Sequence, residues 1–425
     1  MKNKVPKLRF PEFSGEWEEK KLEEICDKSI EKNKQNIIKT VFSNSAKYGI
    51  VLQNDFFDRE ITTEANQDNY YIVKPDSFVY NPRISQSAPV GPVSINKTGL
   101  IGIVSPLYTI FNLKENSFVN KEYLEIYFMT NKWHGYLKSV ANTGARHDRM
   151  NITDSQLFKL PISISNSTEQ EKIASFLSKV DESIEILEEE KELWEKYKKG
   201  MMQKIFSQKL RFKDENGNDY PEWEEKKFKD IYTFKSTNSL SRDKLNYENG
   251  EIKNIHYGDI HTKFKTLFDI TKEEVPFINL DVSFNKITLE NYCKKGDLII
   301  ADASEDYADI GKCIEIINSD NQKILAGLHT FVARPTFLKV ATGFGGYLMK
   351  SPSVYKQIRI IAQGTKVLSL SATRVADLDL YIPSLPEQEK IANFLSSIDE
   401  KIELIEKELE VVKEFKKGLL QQMFI

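Results

Sequence analysis

At 425 residues the chain is longer than one hydrophobic core usually serves, so we expect two or more domains. A hydrophobic fraction of 40%, a charged fraction of 29% and a net charge of −3 are typical of a globular protein and exclude a strongly basic chain that coats nucleic acid. Without a membrane-length apolar run, and with three widely spaced cysteines, the sequence predicts a cytoplasmic protein with reduced thiols.

Residues 1–160 contain a polar lead-in followed by short strand-like runs, in which β-branched and aromatic residues alternate with turn residues. The runs are YYIVKP, SFVYNP, LIGIVSP and LYTIFNL. Apolar residues then recur at helical spacing between Lys121 and Val140, and a polar loop, NTGARHDRMNITDSQL, follows. This order of elements predicts an α+β domain.

Residues 161–208 hold a predicted long helix whose apolar positions alternate spacings of four and three, as in the seam of a coiled coil. The seam positions are Ile173, Leu177, Val180, Ile184, Leu187, Trp194, Met201 and Ile205. A helix of roughly 37 residues would span about 55 Å at 1.5 Å per residue. The alternative is an ordinary amphipathic helix of a bundle.

Residues 209–383 repeat the order of lead-in, strands, helix and polar loop. The strand-like runs are KKGDLIIADAS, KCIEII and HTFVARP, the helix is FGGYLMKSPSVYKQIRII, and the loop is AQGTKVLSLSATRVADLDL. A second long helix is predicted in residues 384–425, with the same seam spacing from Ile391 to Met423. The second half of the chain is therefore predicted to repeat the fold of the first.

The repeat is clearest in the helices, where EQEKIASFLSKVDESIEILEEE (169–190) matches EQEKIANFLSSIDEKIELIEKE (387–408). The lead-ins match as well, because KLRF and the EWEEKK segment occur before both blocks. Equal helices favour an antiparallel coiled-coil pair, with Lys191, Lys198 and Lys416 interrupting its seam. We therefore predict two similar α/β domains separated by two long antiparallel helices, in a circular, pseudo-two-fold arrangement with neighbouring termini.

Motifs for catalysis, cofactors and metals are weak. The sequence contains no phosphate-binding loop, and TGFGG (342–346) lacks the strand that precedes a dinucleotide site, which favours a close helix contact or a hinge. His256 and His261 would need a third ligand to bind a metal. An acidic cluster could hold a cation or accept a hydrogen bond from cytosine N4; its members are Asp302, Glu305, Asp306 and Asp309. We predict no catalytic, cofactor or metal site on this chain.

Loops rich in hydrogen-bond donors recur in both blocks. The polar residues of these loops are the candidate DNA-binding residues. In the first block they are Asn81, Arg83, Gln86, Arg146, His147, Arg149 and Asn151. In the second block they are His261, Lys263, Lys265, Lys366, Ser369 and Arg374. Any one of these residues taken alone could equally be an ordinary polar residue of a solvated surface. The set favours recognition, because corresponding loops are rich in donors but differ in identity.

The whole chain resembles the specificity subunit of type I restriction-modification enzymes. The resemblance is carried by E-Q-E-K-I-A-x-F-L-S at the start of both helices and by SFVYNPR, TGARHDRMN and GDLIIADASEDYADIGK in the blocks. It implies that each block is a target recognition domain that reads one half of a bipartite, asymmetric double-stranded DNA site. It also implies that the helices set the spacer between the halves.

The resemblance further implies that the helices dock two modification (methyltransferase) subunits, and that two restriction/translocase subunits complete a bacterial host-defence complex. S-adenosylmethionine, ATP and Mg are then expected on those partners, and this chain is expected to be non-catalytic. Two other hypotheses stay open from the residues alone. One is a stand-alone DNA-modifying enzyme, which the missing motifs disfavour; the other is a coiled-coil adaptor that binds only protein.

Overall fold

The computed structural model describes residues 4–53, 64–141, 148–282, 287–336 and 339–425, which divide into two compact units. The first unit contains the residues up to Glu188 together with Glu408–Ile425, and the second unit is Glu189–Lys407. Each unit therefore combines one globular block with parts of both long helices. Within the described ranges, no helix has the combination of length and apolar character needed to cross a membrane.

The first unit is built from short strands and helices that lead into a long helix. Its strands are β1 (Glu18–Lys21), β2 (Cys26–Ser29), β3 (Phe42–Ser45), β4 (Gly49–Leu52), β5 (Tyr71–Val73), β6 (Phe78–Tyr80), β7 (Val93–Ile95), β8 (Gly102–Val104), β9 (Thr109–Leu113) and β10 (Pro161–Ile164). Its helices are α1 (Leu22–Ile25), α2 (Lys121–Met129), α3 (His134–Val140), α4 (Asp154–Phe158) and the beginning of α5 (Ser167–Phe206).

The main sheet of the first unit is antiparallel with the strand order β2-β9-β6-β7, and β1 pairs separately with β10. Strand β6 is buried on both faces because successive side chains enter different cores. Phe78 stacks on Phe111 at 5.4 Å between ring centroids in the core that includes the helices, whereas Val79 belongs to a second core with Phe42. Packing into two cores therefore holds strand β6 in place, and this positions the segment that follows it.

The second unit contains an equivalent set of elements. Its strands are β11 (Glu224–Lys227), β12 (Tyr232–Lys235), β13 (Leu245–Asn246), β14 (Lys253–Ile255), β15 (Leu267–Asp269), β16 (Phe277–Ile278), β17 (Leu298–Ala301), β18 (Ala303–Ser304), β19 (Cys313–Asn318), β20 (Ile324–Ala326), β21 (Thr330–Pro335), β22 (Leu368–Ser369) and β23 (Asp379–Ile382). Its helices are α6 (Phe228–Ile231), α7 (Tyr257–Thr262), α8 (Phe344–Met349), α9 (Pro352–Ile361), α10 (Ala372–Ala376), the end of α5 and the beginning of α11 (Leu385–Gln422).

The main sheet of the second unit has the order β12-β21-β17-β19-β15. Its first four strands match β2-β9-β6-β7 in order and direction, and the added strand β15 pairs with β19 in parallel. Strand β11 pairs with β23 as β1 pairs with β10. The prediction of two similar α+β domains with little sequence identity is confirmed.

Each helix predicted in the blocks is in fact two helices. The stretch from Phe344 to Ile361 is interrupted before Pro352, which has no backbone N–H to continue a helix. Ser351 caps the new helix by accepting a hydrogen bond from Val354 N. In the first unit, α2 ends at Met129 and α3 begins at His134. The prediction of one continuous helix was wrong in both places.

The glycine run of TGFGG makes a close helix contact, as predicted. Gly343 has φ +91 and donates its N–H to the carboxylate of Glu315, and Gly346 N donates to the same group at 2.7 Å. A Cβ on Gly345 would come within 2.5 Å of the Tyr232 hydroxyl. Burial raises the pKa of Glu315 to about 7, while the glycine N–H groups act in the opposite direction. These glycines therefore pack α8 onto the sheet.

Helices α5 and α11 pack through the predicted seam, and every seam residue is buried or half-buried. Within each unit the two helices are antiparallel, because ion pairs join later residues of α5 to earlier residues of α11. The pairs are Asp181–Lys416 and Glu188–Lys413 in the first unit, and Lys191–Glu406 and Lys198–Asp399 in the second. The lysines that interrupt the seam thus neutralise acids on the opposite helix, which specifies its register.

The two ends of the chain meet in the first unit. Leu8 N donates to Gln422 O at 3.0 Å, and the rings of Trp17 and Phe424 lie 6.2 Å apart. In the second unit, Trp223 contacts Phe206 at the end of α5 at the same distance. Each lead-in therefore packs against a helix end, and the predicted proximity of the two termini is confirmed.

A buried ion pair attaches each lead-in to the start of a long helix. Arg9 binds both carboxylate oxygens of Glu169 at 2.7 Å, and the Glu169 side chain is 0% exposed. Arg211 binds Glu387 in the same way at 3.2 and 2.8 Å. Both carboxylates lie in the first turn of their helices, where the helix dipole favours negative charge.

Candidate nucleic-acid interface

In the first unit, the segment after β6 and the polar loop before α4 lie side by side. Met150 N donates to Pro82 O at 2.8 Å, and Ile84 N donates to Asp148 O at 3.1 Å. Arg83 and Arg149 consequently face each other across an antiparallel bridge. The structure therefore brings together two arginines that the sequence placed in separate loops.

An exposed acidic residue, Asp148, forms an ion pair with Arg149 at this bridge. Arg149 donates to Asp148 at 3.3 and 3.4 Å, and these hydrogen bonds lower the pKa of that exposed acid. Arg83 is exposed. Two adjacent guanidinium groups can bind guanine O6 and N7 or bridge phosphates. The pair is thus suited to contact a DNA duplex.

Asn81 lies beneath this surface, where its side chain is engaged by the fold. Its Nδ2 donates to Asn44 O at 3.0 Å, and its Oδ1 accepts from Arg83 N at 3.0 Å. The residue is only 6% exposed. We therefore assign Asn81 to positioning Arg83, which departs from its predicted place in direct contact with DNA.

Two further candidates of the first unit, Gln86 and Asn151, lie on the segments that carry the arginines. Gln86 is exposed in the turn after Arg83, and Asn151 is exposed just before α4. Asn151 and Arg149 line a cavity of about 340 Å³ together with Tyr80 and Thr109. Arg146 and His147 lie outside the described residues.

The second unit presents the same backbone arrangement with different side chains. Leu370 N donates to Asp302 O at 2.8 Å, as Met150 N does to Pro82 O. Ala303 pairs with Ser369 in the β18–β22 bridge and thus occupies the position of the arginine pair. Two small side chains therefore replace two long cations.

The candidate residues of the second unit form two groups. The first group lies at or next to the bridge, and the second is held by hydrogen bonds to neighbouring residues. His261 lies beside the bridge, with Nε2 2.9 Å from Ala303 O, and Ser369 and Lys366 are exposed on or next to β22. Lys263 is held by Tyr247 at 2.9 Å, and the Arg374 guanidinium donates to Ile361 O at 3.1 Å.

Lys265 does not join either group. Its Nζ lies 2.8 Å from the carboxylate of Glu403 on α11. Hydrogen bonds from Lys265 and then Lys407 lower the pKa of Glu403 to about 2. We therefore assign Lys265 to binding the long helix.

One residue of this surface was missed in the sequence. His329 Nδ1 lies 3.2 Å from Asp302 Oδ1, although 27 residues separate the two in the chain. Burial raises the pKa of Asp302, and the neighbouring imidazole opposes this shift. No local sequence signal links them, because the contact depends on the pairing of β17 with β21.

The acidic cluster and the histidines do not assemble into a metal centre in the part of the chain that the structure describes, where no group of three or more potential ligands occurs. Asp309 approaches Lys312 at 3.7 Å, and Asp306 accepts a hydrogen bond from Ala308 N. His256 accepts from Gly258 N and caps α7. These side chains are therefore accounted for by local contacts.

The fold and this surface define a protein with two equivalent recognition units, each containing segments of a long helical pair. The chain matches the type I restriction modification DNA specificity domain over residues 14–195 and 220–414, and it belongs to that family. The chain is thus a specificity subunit of a type I restriction-modification system.

Curated relatives agree with this assignment. The type I restriction enzyme MjaVIII specificity subunit of Methanocaldococcus jannaschii is 27% identical over 343 residues, which are 78% of this chain and 74% of the relative. The MjaIX specificity subunit of the same organism is 23% identical over 377 residues, covering 86% and 81%.

Solved structures share the fold. The S subunit of a type I restriction-modification system from M. genitalium matches with a TM-score of 0.56 at 16% identity and covers 99% of both chains. A chain from a study of complex assembly and conformational transition of the type I R-M system matches with a TM-score of 0.55 at 13% identity, covering 96% and 97%. At these identities the likeness concerns the fold alone.

Proposed function

We propose that each unit reads one half of a bipartite DNA site and that the long helices set the spacer. One observation carries this proposal: Arg83 with Arg149, and Ala303 with Ser369, occupy the same backbone position in the two units. Two domains that recognise different DNA sequences require the same backbone arrangement with different side chains. The chain would then supply recognition, while partner subunits would supply S-adenosylmethionine, ATP and Mg for methylation and cleavage.

The test removes the arginine pair of the first unit. Arg83→Ala with Arg149→Ala is expected to relax recognition in one half-site only, because each bidentate contact to guanine contributes about 1–3 kcal/mol of discrimination. The variant is expressed with the modification subunits, and the methylated sites are mapped by long-read sequencing. Lys97→Ala is the control, since Lys97 is an exposed cation that follows β7 at the opposite end of the β6–β7 pair. Relaxation of both halves, or of neither, contradicts the proposal.

The helices also carry a repeated apolar surface that supports docking of two modification subunits. In the second unit, Leu193 and Tyr197 of α5 line a groove of about 440 Å³ with Phe394 of α11. The corresponding positions of the first unit hold Val411 and Phe415, which are 67% and 54% exposed. Large apolar side chains exposed in a repeated pattern are typical of protein interfaces. We assign one copy of the surface to each modification subunit.

Introducing a carboxylate into either copy should remove one partner. Tyr197→Glu and Phe415→Glu are each expected to reduce the bound modification subunits from two to one, and the double variant should bind none, because an unpaired charge would be buried at the interface. Native mass spectrometry counts the subunits. Lys196→Glu is the control, since it adds the same group about 100° around the helix. A folded Tyr197→Glu variant that retains both partners contradicts this assignment.

A further inference from the structure

The base-reading surface of the second unit contains no arginine pair at its bridge, but a carboxylate and an imidazole stand directly beside it. Asp302 immediately precedes Ala303 of the bridge, and His329 immediately precedes β21. Asp302 occupies the position that Pro82 has in the first unit, because equivalent hydrogen bonds from Leu370 N and Met150 N reach their carbonyls. The two units therefore differ in charge at one shared position.

The backbone holds Asp302 from both sides. Asp302 N donates to His329 O at 3.0 Å, and Asp302 O accepts from Leu370 N at 2.8 Å. The carboxylate is 22% exposed and the imidazole 49% exposed. Both line a cavity of about 1060 Å³ whose wall also includes Asn238 and Thr330. The acid is thus fixed in position while it still reaches an open, polar space.

His329 adopts a backbone conformation that residues other than glycine seldom adopt. Its φ is +55, in the left-handed region that glycine and asparagine favour. Such conformations persist only where the surrounding structure imposes them, and they concentrate at functional sites. The ring of Tyr257 supports the imidazole edge-on at 5.3 Å between centroids. This placement brings Nδ1 to 3.2 Å from Asp302 Oδ1.

We propose that Asp302 reads a base of the second half-site by accepting a hydrogen bond from an exocyclic amine, N4 of cytosine or N6 of adenine, and that His329 positions it. This inference rests on the proposed function. Oδ1 faces the imidazole, and Oδ2 is the atom assigned to the base. An ionised carboxylate has no hydrogen to donate, so it is repelled by the acceptors O6 and N7 of guanine and O4 of thymine. The second unit would thus select a base edge that the arginines of the first unit disfavour.

The test uses the whole complex with Asp302→Asn, which keeps the shape of the side chain but removes its charge. Methylation maps should show relaxed preference at one base position of one half-site, with discrimination reduced roughly 5- to 150-fold. The identity of that base distinguishes cytosine from adenine. His329→Asn tolerates the left-handed backbone and should relax the same position. Glu305→Gln removes an exposed carboxylate of the same loop and should leave the motif unchanged.

The outcomes separate this inference from the proposed function. If the unaltered chain directs no bipartite motif, the proposed function fails. If it does, but Asp302→Asn and His329→Asn both leave the motif intact, or alter more than one base position, the inference is overturned. If Asp302→Asn does not assemble with its partners, His329→Asn decides by the same criterion.

Discussion

Replacing Arg9 with alanine is expected to lower the free energy of unfolding of the first unit by about 3–5 kcal/mol. The reason is that the Glu169 carboxylate is 0% exposed and would lose the guanidinium that binds both of its oxygens. A buried charge left without its partner costs far more than a surface ion pair contributes. Arg211→Ala should affect the second unit in the same way through Glu387.

Hydrogen exchange measured by mass spectrometry resolves the two units in one chain. Arg9→Ala should accelerate exchange in β6 and β9, and Arg211→Ala should accelerate it in β17 and β21. Lys4→Ala is the control for the first unit, because the Lys4–Glu16 pair is exposed and is expected to contribute at most about 1 kcal/mol. If Arg9→Ala costs no more than Lys4→Ala, the buried pair does not hold the lead-in to the helix.

Lengthening both long helices is expected to change the spacer of the DNA site without changing its two half-sites. We would insert four residues after Glu188 in α5 and four after Lys407 in α11, where the two units divide. Four residues add about 6 Å and about 40° of rotation to a helix, and a four-residue insertion in a coiled coil is absorbed by local unwinding. Because base pairs repeat about every 3.4 Å, the spacer should become one or two base pairs longer.

The insertion test separates the role of the helices from that of the recognition units. Mapping the methylated sites of the lengthened chain gives spacer and half-sites in one experiment. A control inserts the same four residues after Asn216, in the exposed lead-in loop of the second unit, and should leave the spacer unchanged. An unchanged spacer in the lengthened chain, or altered bases in either half-site, would assign the spacing to another feature.

The repeat and the long helices could be predicted from the sequence because their signals are periodic and local. A 3.5-residue spacing sustained over many turns admits few structures, and α5 (Ser167–Phe206) and α11 (Leu385–Gln422) lie within the predicted ranges 161–208 and 384–425. The proximity of the termini followed from the matched lead-ins, and the contact between Leu8 and Gln422 confirms it. The division of the second block's helix before Pro352 was missed, although proline cannot continue a helix and so carries a signal for it.

The arrangement of the candidate DNA-binding residues could be predicted only in part. The loops were found from their donor-rich composition, but the facing of Arg83 and Arg149 depends on a bridge between distant segments. The burial of Asn81 and the ion pair of Lys265 with α11 also depend on tertiary packing. The position of His329 beside Asp302 requires the pairing of β17 with β21. The amino-acid composition of a loop indicates whether it can bind DNA. The pairing of the strands decides which of its side chains lie on the candidate surface.

The most direct measurement is a genome-wide map of methylated bases in cells that contain this chain and the proposed modification subunits, obtained by long-read sequencing. We expect a single motif of two dissimilar half-sites separated by a non-specific spacer of constant length. Changes at Arg83 and Arg149 should alter one half, and a change at Asp302 should alter the other. A continuous motif, or a first-unit change that alters bases in both halves, would show that the two units do not each read one half of the site.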